Sequence, residues 1–171
     1  MSAKFKEISP LKINENSIKM IGSDWMLITA GDKSRFNTMT ASWGFMGEIW
    51  GEHAIIAMIR PQRYTFEFIE KSNVFTLSFL EDGNKDTLNL CGTRSGRDID
   101  KISATGLIPV FKDDIIFFEQ AKLVLVCEKM YASDFDPEKF TDKSLPQRIY
   151  SADDYHRVYI AKILKVYKKE I

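Results

Sequence analysis

Asn37-Thr38-Met39-Thr40-Ala41-Ser42 is a run of amide, hydroxyl and small side chains followed directly by Trp43. A flat heteroaromatic ring needs close backbone approach along its polar edge, which small residues allow, and an apolar wall nearby. This run supplies both, although its composition also suits an ordinary half-buried strand. A second cluster, Arg60-Pro61-Gln62-Arg63-Tyr64-Thr65, sets two guanidinium groups and two hydroxyls at a strand-to-helix junction. Free backbone amides and the helix dipole favour a phosphate there. A third, Cys91-Gly92-Thr93-Arg94-Ser95-Gly96-Arg97 with Lys101 beyond it, again combines cations, hydroxyls and glycines in a loop. A phosphate clamp and a solvated basic turn both fit each of these two clusters.

Other chemistries find little support. No G-x-G-x-x-G follows a strand, and Gly44, Gly47 and Gly51 are wrongly spaced for a dinucleotide-binding turn. The stretch 92–96 lacks the Gly-Lys-Ser/Thr ending of a P-loop. His53 and His156 are the two histidines and stand far apart, so no metal site is expected. Cys91 and Cys127 are too few for a disulfide scaffold and are expected to pack as reduced, small hydrophobes. A Cys91–His156 nucleophile pair is marked by nothing in the spacing.

These clusters must be positioned by strands. Asp24 to Ala30 is an apolar run ending at Gly31-Asp32, Thr38 to Trp43 a second strand, and His53 to Ile59 a third, stopped by Arg60-Pro61. Tyr64, Phe68 and Ile69 recur at helical spacing, which predicts a helix within 61–72 with Pro61 in its first turn. Asn73 to Leu80 alternates like a strand with unequal faces and turns at 81–84. Short helices are expected over 85–91 and over 98–104, the latter capped by aspartate and stopped by Gly106. Long β-branched and aromatic runs at 121–131 and 157–167 read as the last strands, with Lys162 and Lys165 suited to an edge. Between them, 132–155 is acidic and poor in aliphatics and reads as a solvated excursion. Strands outnumber helices, which gives a mainly β, α+β class: a barrel or sandwich with short peripheral helices.

A length of 171 residues suits one domain spanning 1–171. Hydrophobic residues make up 44% and charged residues 28%, so the chain can bury a core and is expected to fold. Lysine plus arginine (24) balances aspartate plus glutamate (24), which removes the electrostatic footprint of a nucleic-acid binder. No stretch approaches the ~20 apolar residues of a membrane span, so the expectation is a cytoplasmic protein without membrane partners.

Taken together, 37–44, 59–65, 91–98 and Asp154-Tyr155-His156-Arg157-Val158-Tyr159-Ile160 resemble the flavin reductase-like family, closest to its flavoredoxin branch. The similarity runs in order over roughly 18–167, and four ordered motifs are far more specific than one. The resemblance implies an FMN-binding split β-barrel that forms a homodimer, with FMN held non-covalently near the subunit interface. It places Thr40, Ala41, Ser42 and Trp43 along the isoalloxazine, and Arg60, Tyr64 and Thr65 along the flavin tail. Thr93, Arg94 and Ser95 would approach the phosphate. Asn37, Thr38, Met39, Arg63, Cys91 and Gly92 of the same motifs, with Lys101 beyond the third, would complete the cofactor-binding set. His156 matches the family's histidine before the last strand, where it would hydrogen-bond the flavin or steer a nicotinamide; a capped loop histidine is the alternative. Two departures stand out: Arg94 takes a position where lysine is expected, and the excursion 132–153 is long enough to cover the ring.

The chemistry so implied belongs to the flavin: hydride arrives from NAD(P)H as a transient reductant, and electrons leave to free flavin or to a redox protein. An electron carrier without NAD(P)H activity, and a non-catalytic flavin- or haem-binding module, are the rival readings.

Overall fold

Two strands separated by only two residues, β3 (Phe36–Ala41) and β4 (Gly44–Ile49), lie at opposite ends of one sheet in the computed structural model, which describes residues 3–170. The sheet also contains β1 (Phe5–Ile8), β2 (Met26–Gly31), β5 (Glu52–Ile59), β6 (Val74–Leu80), β9 (Ala121–Asp134) and β10 (Arg157–Lys169). Its order is β3-β2-β6-β9-β10-β5-β4, with β1 added on β10 and every pairing antiparallel. Ser42 and Trp43 can span no more than about 11 Å between strand ends, at ~3.6 Å per residue. The sheet must therefore curl until its two edges meet. The result is a barrel split along a β3/β4 seam, which is the fold the sequence motifs implied.

Alternation along the strands fills both faces. Met26, Ile28, Phe75, Leu77, Phe79, Leu125 and Tyr159 belong to the interior cluster. Leu27, Leu80, Val124 and Tyr167 join a second cluster outside the sheet, with Leu88 and Cys91 of helix α3 (Lys85–Thr93) and with Phe117 and Phe118. The last two come from a small hairpin of β7 (Pro109–Lys112) and β8 (Ile115–Phe118). Covering both faces explains why β2 and β9 read as nearly continuous apolar runs rather than as clean alternation. Both cysteines are free and buried.

Several boundaries move for local reasons. Helix α1 (Ser17–Lys19) continues into a π-turn, Met20–Asp24, so β2 begins at Met26 rather than Asp24. β3 begins at Phe36 and stops at Ala41, which leaves Ser42 and Trp43 in the crossing link. Pro61 lies in a turn closed by Arg63 N–H on Arg60 C=O (3.0 Å), so helix α2 spans Tyr64–Lys71 without it. Asp100, not Asp98, caps α4 (Lys101–Thr105), accepting from the amides of Ile102 and Ser103. Gly106, at φ 69°, ends that helix as expected.

Two expectations are corrected, and four strands were not foreseen. Lys162 and Lys165 do not guard an edge, because β10 is paired on both sides; they meet Glu52 (2.7 Å) and Asp113 (3.4 Å) instead. Strands β1, β4, β7 and β8 had no clear sequence signal, and β4 was masked by Gly44 and Gly47. The excursion is not wholly solvated: β9 runs to Asp134, helix α5 spans Ser144–Ile149, and Phe135, Phe140, Tyr150 and Tyr155 form one aromatic cluster.

Candidate functional site

β3 is an edge strand, so half of its backbone groups lack a strand partner. The Thr38 carbonyl accepts a 2.8 Å bond from the Lys101 ammonium and so faces away from β2. Residues two apart share that direction in an antiparallel ladder, which opens the N–H and C=O of Thr40 to the same side. Beside them runs a cleft of about 250 Å³ lined by Met39, Thr40, Ala41, Ser42, Trp43, Met58, Arg60, Arg63 and His156. The barrel seam thus brings together eight of the residues picked out from the sequence; Met58 is the addition.

The cleft is cationic and only partly neutralised. Arg60 is held by the carboxylate of Asp154 and donates to the Ile149 carbonyl (3.2 Å). Arg63 donates to the Gly92 carbonyl at 2.6 Å, and burial together with the Arg60 charge lowers its pKa. Lys101, 5% exposed, donates to the carbonyls of Thr38 and Cys91, and burial pushes its pKa down to about 8. Arg94 is exposed and has no ion pair among the described residues. Arg63 and Lys101, bonded only to carbonyl oxygens, therefore carry positive charge that an anion would relieve.

His156 and Trp43 form one wall, with ring centroids 4.9 Å apart. The His156 Nδ1 lies 2.9 Å from the Tyr150 hydroxyl, and burial with the nearby Arg60 charge lowers the imidazole pKa to about 4.

The rest of the sequence candidates fall into a connected shell. A second hollow, about 190 Å³, is lined by Asn37, Thr38, Tyr64, Gly96 and Lys101 together with Arg35. Asn37 donates to Thr65 at 2.8 Å, which ties β3 to the first turn of α2, and both are buried. Gly92 and Gly96 let the third cluster press against β3. A Cβ on Gly96 would stand 2.2 Å from Asn37 Oδ1, and one on Gly92 3.3 Å from Thr40 Cβ. Cys91, Gly92 and Thr93 lie in the last turn of α3 rather than in a loop. The Cys91 thiol is buried in the outer core, which pushes its pKa up, and the Thr93 hydroxyl donates to the Asn89 carbonyl (2.8 Å). Ser95 Oγ accepts from the Arg97 amide (3.1 Å). No group of three or more potential metal ligands occurs among the described residues.

Tyr150 escaped the sequence reading because it sits in the excursion, whose composition suggested only solvent contact, and Asp154 was read only as the start of the fourth motif. A third hollow, about 420 Å³, adjoins the cleft through Ser42, Trp43 and Met58 and is otherwise lined by residues of 17–22 and 44–46. Its rim carries exposed Ile18 and Phe45; the one hint in the sequence was the concentration of aromatics around Gly44 and Gly47.

A family model described as flavin reductase like domain matches residues 19–170. The chain belongs to the flavin reductase-like family. Solved structures of several flavin reductase-like proteins share its fold. The FMN-binding domain of a flavin reductases-like enzyme from Shewanella baltica aligns over 98% of this chain and 78% of its own, with TM-score 0.70 and 14% identity. A flavoredoxin from Methanosarcina acetivorans aligns over 95% and 77%, with TM-score 0.68 and 19% identity. An NADH:FAD oxidoreductase from Streptomyces globisporus aligns over 86% and 78%, with TM-score 0.63 and 12% identity. A search of curated protein sequences finds no significant match. No helix among the described residues is long and apolar enough to cross a membrane.

Proposed function

We propose that this flavin reductase-like protein binds FMN non-covalently at the β3/β4 seam and works as a cytoplasmic NAD(P)H-dependent flavin reductase. The observation that carries the reading is the seam itself. An open strand edge with small side chains, Thr40-Ala41-Ser42, runs beside Trp43 and Met58 and continues toward the unneutralised Arg63. These residues fit the group: edge amide and carbonyl groups suit the ring's polar rim, Trp43 and Met58 its faces, and the guanidinium groups a phosphate.

When bound, FMN supplies the hydride and electron chemistry. The chain's own residues bind and orient. The Thr40 backbone offers one donor and one acceptor at fixed spacing, and the Thr40 hydroxyl is anchored on the Leu88 carbonyl, which keeps β3 registered on α3. Arg63, fixed by Gly92, holds positive charge at the cleft without a competing carboxylate. Trp43 and His156 limit access from one side and leave the adjoining apolar hollow open to a stacking reductant. The lack of any dinucleotide-binding motif suits a nicotinamide that binds weakly and transiently. The exposed apolar rim, Ile18, Trp43 and Phe45, supports a homodimer in which a second copy covers the hollow.

The test is an absorption spectrum of the protein with FMN before and after anaerobic NADH or NADPH. Bound flavin bleached within seconds to minutes by a nicotinamide is the expected result, and Arg63→Met should weaken FMN retention by at least tenfold. A persistent bound-flavin spectrum would make the chain an electron carrier instead. Failure to retain FMN would remove the proposal.

A further inference from the structure

His156 is held from two sides in the cleft wall. Trp43 packs on one face of its ring, and the Tyr150 ring meets it edge-on with centroids 5.6 Å apart, bringing the phenol oxygen 2.9 Å from Nδ1. Tyr150 is itself immobilised. It is 5% exposed, its ring stacks on Tyr155 at 4.6 Å, and the Arg60 guanidinium lies 5.4 Å from its ring centre. Its backbone amide donates to the Pro146 carbonyl at 2.8 Å. The excursion between β9 and β10 thus delivers one buried hydroxyl to one ring nitrogen.

The geometry points to Tyr150 as the positioning residue that locks His156 in its neutral Nε2–H tautomer, so that the cleft is presented with a hydrogen-bond donor rather than a proton shuttle. The assignment follows from counting donors. Among the described residues the Tyr150 hydroxyl has a single hydrogen-bond partner, Nδ1. If Nδ1 carried the proton, the phenol hydrogen would be left unpaired in a buried site, which proteins avoid. Burial pushes the Tyr150 phenol up, so it keeps that hydrogen throughout the neutral range. With Nδ1 accepting, the remaining proton belongs on Nε2.

The charges facing the ring agree. Burial is the first cause of its low pKa of about 4, the Arg60 and Arg63 charges add to it, and Asp154 opposes them. The Asp154 carboxylate, engaged by Arg60 and Gln62, outweighs the Arg63 charge but not burial or the Arg60 charge. On the FMN reading, from which this inference extends, the Nε2–H would serve an acceptor atom of the ligand throughout the neutral range. The tautomer itself is a property of the free protein and is tested without any flavin.

The experiment is long-range nitrogen–proton NMR of the histidine side chains in ligand-free protein across pH 3.5–8, with His53→Gln to identify the His156 signals. The expected wild-type result is an Nε2–H tautomer that protonates only near pH 4. Tyr150→Phe removes the bond that favours the neutral ring and should raise the His156 pKa by roughly one unit, the equivalent of one hydrogen bond. It should also mix the two tautomers. Wild-type protein showing Nδ1–H, or a folded Tyr150→Phe protein with unchanged tautomer and pKa, would overturn the assignment. The wild-type spectrum decides the tautomer even if the variant fails to fold. A protein that shows the locked tautomer yet retains no FMN would sink the functional proposal and leave this one standing.

Discussion

Lys101 is a buried cation whose partners are both carbonyl oxygens, one on β3 and one at the end of α3. It takes the place of the strand that β3 lacks and fixes the third sequence cluster against the first. Its ammonium titrates at about 8 in the fold against 10.5 in an open chain, chiefly through burial. Between those values the unfolded chain binds more protons than the folded one, so stability rises with pH through this window, and the burial cost is fully present below pH 8. The full rise amounts to on the order of 3 kcal/mol. By urea unfolding of the ligand-free proteins, the change in stability from pH 7.5 to pH 10 should be more favourable in wild type than in Lys101→Met by most of this amount, the opposing contribution of the buried Cys91 and Cys127 thiols being common to both. Parallel pH profiles for the two proteins would contradict the assignment of the low pKa to Lys101.

At the scale of elements, the excursion between β9 and β10 is a strap held by Arg60, which binds both the Asp154 carboxylate and the Ile149 carbonyl. Burial raises the Asp154 carboxyl, but the bonds from Arg60 and Gln62 outweigh it and hold the group below its ordinary 3.8. A carboxylate depressed in the fold stabilises it above that ordinary value and loses the contribution as pH falls through the folded one. The Asp154 tie is therefore made at neutral pH and lost in strong acid. Asp154→Ala should cost about 1.5–3 kcal/mol, the range for a charge-assisted bond, and should speed protease cleavage within 136–153. Cleavage at the wild-type rate would show that the strap is held without the Asp154 tie. Arg60, placed on the flavin tail by the family motif, is in this structure also the strap's anchor, so its substitution would disturb both.

For the molecule as a whole, the seam leaves β4 as a free edge with Phe45 63% exposed, close to the hollow that adjoins the cleft. Exposed apolar side chains on an unpaired edge favour association. A chain of 19.7 kDa should sediment at twice that mass. Phe45→Glu, at an exposed position, should yield a folded monomer with weaker FMN retention. A wild-type monomer that binds FMN fully would separate flavin binding from dimerisation.

The long strands, helix α2 and the three polar clusters were legible in the sequence because each rests on local information: apolar alternation, a turn at Arg60-Pro61, and small or cationic residues a few positions apart. The Gly106 stop is local in the same sense. Strand β4 was not legible, since two glycines obscure its alternation and it is stabilised by pairing with β5 rather than by its own propensity. Nor were the partnerships that give the site its chemistry. Thr38 meets Lys101, Arg60 meets Asp154, and Trp43 meets His156 across large sequence separations. Those contacts exist because the sheet closes on itself, and closure depends on the twist and pairing of all its strands together. Sequence alone picked out candidate residues for a phosphorylated ring; only the closed barrel decided which of them face a common cleft and which are spent on holding it open.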